Sequence, residues 1–237
     1  MSNQTSAVRT VWDLVVMGGF TMIPLVICSL VIWAVILERL WTYRKLSQHL
    51  RSFHLEAMNA VLRDDLEGLR GLIRRHALLP TARLAEVALE RFSAKDSRLR
   101  SHWEEAVGRA RQLVNQELRS HLWILGTIGS SAPFIGLFGT VVGILRSFQE
   151  MARSGSGGFA VVSAGISESL VATAAGIVVA VIGVMAFNSF QTYCGKLILL
   201  VKIQTEELLE VLRLSRELLT SSEQGSSDPK AGQSSGA

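Results

Sequence analysis

The sequence predicts an all-α membrane protein with three transmembrane helices. Three stretches of 24 to 27 residues contain no Asp, Glu, Lys or Arg, and they run over 14–37, 122–145 and 169–195. About 20 apolar residues are enough for a helix to cross the hydrocarbon core of a bilayer. The chain of 237 residues is 49% hydrophobic with a mean hydropathy of +0.32, and apolar residues outside the spans recur at helical spacing without strand alternation.

The basic residues predict how these spans are oriented. Sixteen of the 24 Lys and Arg residues lie between Leu37 and Leu122, whereas only Arg9 precedes the first span. Because cytoplasmic segments carry an excess of Lys and Arg, we expect the N-terminus outside, and the 38–121 segment and the C-terminus in the cytoplasm. This topology accounts for the net charge of +4, so we expect membrane lipid around the spans and no nucleic-acid partner.

The spans and their flanks predict eight segments. The first apolar stretch is interpreted as a retained anchor rather than a signal peptide, because it exceeds the usual h-region of roughly 7 to 15 residues. The segments are, in order, a periplasmic lead-in at 1–13, transmembrane helix 1 at 14–37, a cytoplasmic helical domain at 38–121, transmembrane helix 2 at 122–150, a periplasmic loop at 151–163, transmembrane helix 3 at 164–195, a cytoplasmic helix at 196–220 and a disordered tail at 221–237.

Apolar residues spaced by three or four predict long helices that continue two of the spans. One is expected to run from about 97 into the second span, since no breaker separates its last apolar residues from that span, and one from about 164 to 220. Within the 38–121 segment, Asp64 is expected to cap a helix, and Pro80 to divide one short helix from the next.

The sequence contains none of the motifs that mark common enzyme or metal sites. The five histidines all lie in the 38–121 segment, and none forms an H-x-x-x-H pair or stands with cysteines at zinc spacing. Cys28 and Cys194 are isolated and are interpreted as small buried apolar residues. We therefore expect no enzymatic activity, no metal and no cofactor.

Small residues are concentrated in the second and third spans. Gly136, Gly139 and Gly143 lie in the second, and Gly165 and Gly176 lie in the third among many Ala and Ser residues. Small residues let helix backbones approach closely, which is how membrane helices associate without a hydrophobic driving force. Their density exceeds what the three helices of one chain need, so we expect these helices to face further copies of the chain or a partner helix.

Polar side chains at the third span supply the candidate functional residues. Glu168 lies at the start of the apolar run, and an ionisable group at a helix centre costs about 2.5–3.5 kcal/mol and normally faces a bundle interior or water. The alternative is that Glu168, which lies near one end of the span, only anchors the helix at the membrane interface. Thr140 and Thr173, taken alone, are typical of membrane threonines that bond a carbonyl of their own helix.

Two stretches resemble the signature sequences of a known family. They are SAPFIGLFGTVVGI at 131–144 and GISESLVATAAG at 165–176, and the run ILERLW ends the first span. In these stretches, and in span number, spacing and predicted topology over roughly 14–217, the chain resembles the ExbB/TolQ/MotA proton-channel family, most closely its ExbB and TolQ branch.

The resemblance implies a homopentameric ring whose second and third spans line a pore. It implies an ExbD/TolR-like single-span partner dimer inside the ring, carrying a membrane aspartate that takes protons, and a TonB/TolA-like protein that receives the work. By motif, it implies that Thr140 and Thr173 line the pore and that Glu168 is the family's membrane glutamate. This chain has no acid or histidine in the middle of a span, so the partner would supply the titrating group, and we expect the two hydroxyls to hydrogen-bond its carboxylate or ordered water.

Three functions are carried forward from the sequence. The favoured one is an inner-membrane motor (stator) subunit that converts proton-motive force into mechanical work and energises TonB-dependent outer-membrane transport. The second is a motor subunit of the same kind that drives a different process, either TolQ-like envelope maintenance or gliding motility. A MotA-type stator is disfavoured because such chains usually have four spans. The third, from another class, is a passive membrane scaffold.

Overall fold

The regular secondary structure is α-helical throughout the part of the chain that the computed structural model describes, which is 20–63, 65–92, 102–154 and 159–226. The predicted all-α class is therefore confirmed for these residues. The helices are α1 at Met22–Leu62, α2 at Leu66–Arg75, α3 at Pro80–Phe92, α4 at Trp103–Arg119, α5 at Leu122–Ser154 and α6 at Phe159–Ser226.

Three of these helices are long and apolar enough to cross a membrane, as the sequence predicts. The candidate spans lie within Met22–Leu62, Leu122–Arg153 and Val162–Leu214, and their most apolar windows have mean hydropathies of 2.2, 1.7 and 2.6. The predicted lead-in at 1–13 and most of the predicted tail lie outside the described residues.

The described residues form two compact units. The first comprises 20–41 and 120–192 and is called the span unit. The second comprises 42–119 and 193–226 and is called the helical unit. The helical unit has a core of large apolar side chains, with Phe53, Leu69 and Leu84 almost completely buried.

Local capping in the helical unit differs by one residue from the sequence prediction. The N-cap of α2 is Asp65, whose Oδ1 accepts a hydrogen bond from the Gly68 backbone N–H at 2.7 Å. The predicted cap, Asp64, lies outside the described residues. The expected division at Pro80 is confirmed, because α3 begins at that residue, where its missing N–H costs no helical hydrogen bond.

The helix expected to run unbroken from about 97 into the second span is interrupted, so that prediction is wrong. Ser120 and His121 separate α4 from α5, and His121 has a φ of 63°, in the left-handed region that non-glycine residues rarely adopt. Contacts from another helix hold this turn, because the Arg39 Nη2 donates to Ser120 Oγ at 3.0 Å and lies 2.7 Å from His121 Nδ1. The other expected long helix is present as the uninterrupted α6.

Candidate functional site

The α5 and α6 backbones of the span unit meet at glycines. A Cβ atom on Gly176 would lie 2.8 Å from the Ala132 carbonyl oxygen, and one on Gly136 would lie 2.9 Å from both the Ala172 carbonyl oxygen and the Thr173 Cα. Such distances are shorter than real Cβ contacts, and the obstructing atoms are backbone, so they cannot move aside cheaply. Glycine at these positions is what allows the two helices to approach.

The other three glycines predicted to pack helices each face a small side chain from elsewhere in the span unit. Gly139 faces Thr21, Gly143 faces Ser169, and Gly165 faces Ser147. We call the whole line of contacts between α5 and α6, from Gly136 and Gly176 to Gly165, the glycine seam.

Thr173 lies on the glycine seam, Thr140 follows the seam residue Gly139 on α5, and both hydroxyls donate to α5. The Thr173 Oγ1 donates across the seam to the Gly136 carbonyl oxygen at 3.0 Å, and the Thr140 Oγ1 donates to the Leu137 carbonyl oxygen at 2.7 Å. Because these two acceptors belong to consecutive residues, the hydroxyls lie at the same level of α5. Both side chains are half-buried, so each keeps a face that this chain does not cover.

The faces of α5 and α6 away from the seam carry large apolar side chains that are mostly exposed. The exposed residues include Phe134, Leu137, Phe138, Val141 and Leu145 on α5, and Leu170, Ile177, Val178, Val181 and Met185 on α6. Small buried residues and large exposed ones are the arrangement expected of helices that face lipid or other helices rather than water.

Glu168 is exposed and lines a cavity of about 210 Å³ in the span unit. Arg146 and Glu150 of α5 line the same cavity, together with the hydroxyls of Ser147 and Ser169. The volume is enough for several water molecules at about 30 Å³ each. Arg146 was not predicted as a site residue, although its position one turn before Glu150 near the end of the second span is visible in the sequence.

The structure does not bring Glu168 to the level of the two threonines. Glu168 precedes Thr173 by five residues, which is about 7.5 Å along an α-helix. The site therefore has two parts, a charged cavity at the N-terminal part of α6 and a pair of hydroxyls deeper in the apolar segment.

Over the described ranges, no group of three or more His, Cys, Asp or Glu side chains is placed to hold a metal ion. Cys194 is buried and Cys28 is half-buried.

Comparison with known proteins points to a single family over the part of the chain that contains Thr140, Glu168 and Thr173. The sequence model of the MotA/TolQ/ExbB proton channel family matches residues 76–202. The chain is 32% identical over 189 residues to the biopolymer transport protein ExbB of Neisseria meningitidis serogroup B, which covers 74% of this chain and 82% of that protein.

Two further relatives match over shorter segments. The chain is 42% identical over 112 residues to the biopolymer transport protein ExbB of Pseudomonas putida, covering 45% of this chain and 34% of that protein. It is 40% identical over 98 residues to the Tol-Pal system protein TolQ of Pseudomonas aeruginosa, covering 40% of this chain and 42% of that protein. These two alignments therefore span less than half the length of each relative.

Proposed function

This chain belongs to the MotA/TolQ/ExbB proton channel family, and on that premise we propose that it is the proton-channel and motor (stator) subunit of an inner-membrane complex. It is a multi-pass membrane protein with three apolar helices. With an ExbD/TolR-like single-span partner it converts proton-motive force into mechanical work, and the load we favour is TonB-dependent transport at the outer membrane.

The observation that carries the proposal is the pair of threonine hydroxyls that donate to consecutive carbonyls of α5. Thr140 and Thr173 lie at one level of α5, half-buried, within apolar stretches that lack any charged residue. Hydroxyls kept at such a depth can hydrogen-bond a polar group that enters the membrane from another chain. This arrangement supports the proposal that they line the pore.

The proton carrier itself comes from the partner in this proposal. The chain has no Asp, Glu or His between Leu122 and Leu145 or between Ser169 and Gly195, so it lacks a titrating group at mid-span. A dimer of the single-span partner supplies a carboxyl group there. One elementary charge that crosses a potential of 100 mV releases about 2.3 kcal/mol, so a few protons can drive a conformational step.

Glu168 acts in this scheme near the mouth of the pathway. Glu168 lines a cavity together with Arg146 and Glu150. This cavity is large enough for water, and charged side chains surround it. We assign to Glu168 the delivery of protons or the organisation of the ring, and not the carrier role at mid-membrane.

The assembly we propose is a homopentameric ring with the N-terminus in the periplasm and the C-terminus in the cytoplasm. The exposed apolar faces of α5 and α6 support further helix contacts, and the basic residues of 38–121 support the orientation. Native mass spectrometry of the complex tests the ring, since any stoichiometry other than a pentamer of this chain contradicts it.

The load is tested in the host cell. We expect deletion of the gene to impair TonB-dependent uptake, and complementation with Glu168→Ala or Thr173→Ala to leave uptake impaired although the complex assembles. The same strains are scored for detergent sensitivity and gliding, because relatives named both ExbB and TolQ support an envelope-maintenance load as the second candidate. If both variants assemble normally and keep full uptake, the motor function is contradicted, and the passive scaffold is the function that remains.

We propose no catalytic step, metal or cofactor for the chain. The family is a proton channel and not a known enzyme class. The work is done by proton movement through the complex, with the TonB/TolA-like protein as the element that receives it.

A further inference from the structure

Arg39 holds the turn between α4 and α5 with a charged group that the protein almost completely buries. The Arg39 side chain is 5% exposed, its Nη2 donates to Ser120 Oγ at 3.0 Å, and the same nitrogen lies 2.7 Å from His121 Nδ1. A buried charge is tolerated when it is paired and hydrogen-bonded, because an isolated one is very costly. The turn is therefore fixed by contacts that depend on the charge of each group in them.

The contact between Arg39 and His121 identifies the protonation state of the imidazole. A guanidinium carries N–H donors alone, so His121 Nδ1 must accept this hydrogen bond with its lone pair. A neutral imidazole has one accepting and one donating nitrogen, whereas both nitrogens donate in the charged form. The contact at 2.7 Å therefore belongs to neutral His121 with its proton on Nε2.

A second proton on the imidazole would turn this attraction into a repulsion. Two N–H donors and two positive charges would then face each other across the contact with Arg39. The Glu38 Oε2 lies 3.8 Å from the same His121 nitrogen and 3.0 Å from Arg39 Nε. Because an opposite charge at this distance favours the charged form, protonated His121 would compete with Arg39 for one carboxylate and give up its contact with the guanidinium.

The backbone of the turn depends on these side-chain contacts. Ser120 and His121 lie outside both α4 and α5, and His121 has a φ of 63°. A non-glycine residue in the left-handed region is held there by its surroundings and not by its own preference. Loss of the contact with Arg39 therefore favours opening of the turn.

We propose that His121 is a proton-sensitive switch, which holds the turn between α4 and α5 when it is neutral and releases the turn when it is protonated. The His121 side chain is 57% exposed, so protons from water reach it, whereas the guanidinium that it contacts is buried. Histidine ordinarily changes its charge between about pH 5 and pH 8. The switch is made of this chain's own side chains and does not depend on the proposed function. In the orientation proposed above, it responds to the pH of the cytoplasm.

The other charged groups around the turn come from three helices. On α1 they are Glu38 and Arg39, and on α4 the charged residue next to the turn is Arg119, which is exposed. The first turns of α5 carry no charged residue, and on α6 the first charged residue after the apolar stretch is Lys196, which is exposed. Arg and Lys keep their charge over the range in which histidine titrates, so Glu38 is the group that must be separated from His121.

The test is hydrogen exchange of the amides of 119–122 in the full chain, placed in lipid nanodiscs. Exchange is measured by mass spectrometry at about pH 8 and about pH 5, which bracket the titration of histidine, and is corrected for the intrinsic exchange rate at each pH. We expect the corrected exchange to rise about tenfold at the lower pH, because a hydrogen bond to a buried charged group is lost.

Variants of the two partners should fix the turn in one state or the other. His121→Gln and His121→Asn keep a side-chain oxygen that accepts from Arg39 and do not titrate, so exchange should stay low at both pH values. Asparagine also tolerates a positive φ, so this variant is expected to keep the turn. Arg39→Met should give high exchange at both pH values. Glu38→Gln should keep the rise but require a lower pH for half of it, because the imidazolium loses its acceptor.

A histidine elsewhere in the chain provides the matched control. The His54 Nε2 lies 3.1 Å from Glu207 Oε2 in the helical unit, so its ion pair also changes with protonation, and His54→Gln should keep the full rise at 119–122. Equal corrected exchange at the two pH values in the native chain overturns the inference. A rise that persists undiminished in both His121 variants, or that disappears in His54→Gln or Glu38→Gln, assigns the response to another group and overturns it as well.

Discussion

The span unit and the helical unit are both built from helices, yet they bury opposite kinds of residue. In the span unit Ala172 and Gly176 are buried while Phe138 is 61% exposed. In the helical unit Phe53 is 1% exposed and Leu69 is fully buried. This is the difference expected between a unit in lipid and a unit in water, because in lipid small residues bring backbones together, whereas in water large apolar side chains must be covered.

Charged side chains pair across helices at the surface of the helical unit, as Arg111 and Glu206 do at 3.0 Å. Hydroxyls donate to backbone carbonyls in both units, as Ser147 does to Gly143 at 2.9 Å in the span unit and Thr205 does to Val201 at 2.7 Å in the helical unit. Lipid offers no hydrogen-bond partner, so a hydroxyl there is satisfied within the protein, whereas a surface charge in water can be solvated.

The largest expected effect is the loss of a core aromatic residue from the helical unit. Phe53→Ala should lower the free energy of unfolding by about 3–5 kcal/mol, because it removes a buried ring and leaves a cavity. Phe138→Ala, the matched change in the span unit, should change it by about 0.5 kcal/mol or less in the detergent-solubilised chain. Denaturant unfolding followed by circular dichroism measures both, and equal losses would break the comparison.

The turn between α4 and α5 should come next in size. Arg39→Met removes the hydrogen bonds to Ser120 and His121, and we expect a loss of about 1.5–3 kcal/mol because the guanidinium is charged and buried. Hydrogen exchange at residues 119–122 should rise in the variant. Arg44→Met, at an exposed position of the same helix, is the control, and equal exchange in the two variants would show that Arg39 does not hold the turn.

A methyl group added at a glycine of α6 should have a moderate effect whose sign depends on whether the glycine lies on the seam. Gly176→Ala should destabilise the chain by about 1–3 kcal/mol, because its Cβ meets the backbone of α5. Gly195→Ala, on the same helix with nothing within 4 Å of the added Cβ, should stabilise it by about 0.5–1 kcal/mol. Thermal unfolding in detergent measures the pair, and stabilisation by Gly176→Ala would refute the seam.

The smallest effect should come from a surface ion pair of the helical unit. Arg111 and Glu206 are partly exposed, so a double-mutant cycle with Arg111→Gln and Glu206→Gln should give a coupling of about 0.2–1 kcal/mol. The coupling should fall at high salt, since exposed charges are screened. A coupling that is large and insensitive to salt would contradict the description of Arg111 and Glu206 as an exposed, solvent-screened pair.

The spans could be predicted because their signals are local. Charge-free stretches of sufficient length are visible in the sequence without knowledge of any contact. The glycines were expected to pack helices against further copies or a partner, whereas the contacts of Gly136 and Gly176 join two helices of this chain. What the sequence did not reveal is the direction of the Thr173 hydroxyl, because its acceptor, Gly136, is on another helix.

The feature that was missed depends on a tertiary contact. The turn at His121 has no Gly or Pro signal and is held by Arg39, which is 82 residues away. Its position is decided by a neighbour on another helix, which local propensity does not describe.

Proton flux through the complex is the most direct test of the central claim, that Thr140 and Thr173 belong to a proton pathway. Proteoliposomes that hold the full chain with its co-purified single-span protein are placed under a potassium diffusion potential, and an internal dye reports acidification. We expect the native complex to acidify the lumen, Thr173→Ala to lose most of the flux while remaining assembled, and Thr192→Ala to keep it. Undiminished flux in Thr173→Ala, or no flux in the native complex, would contradict the account.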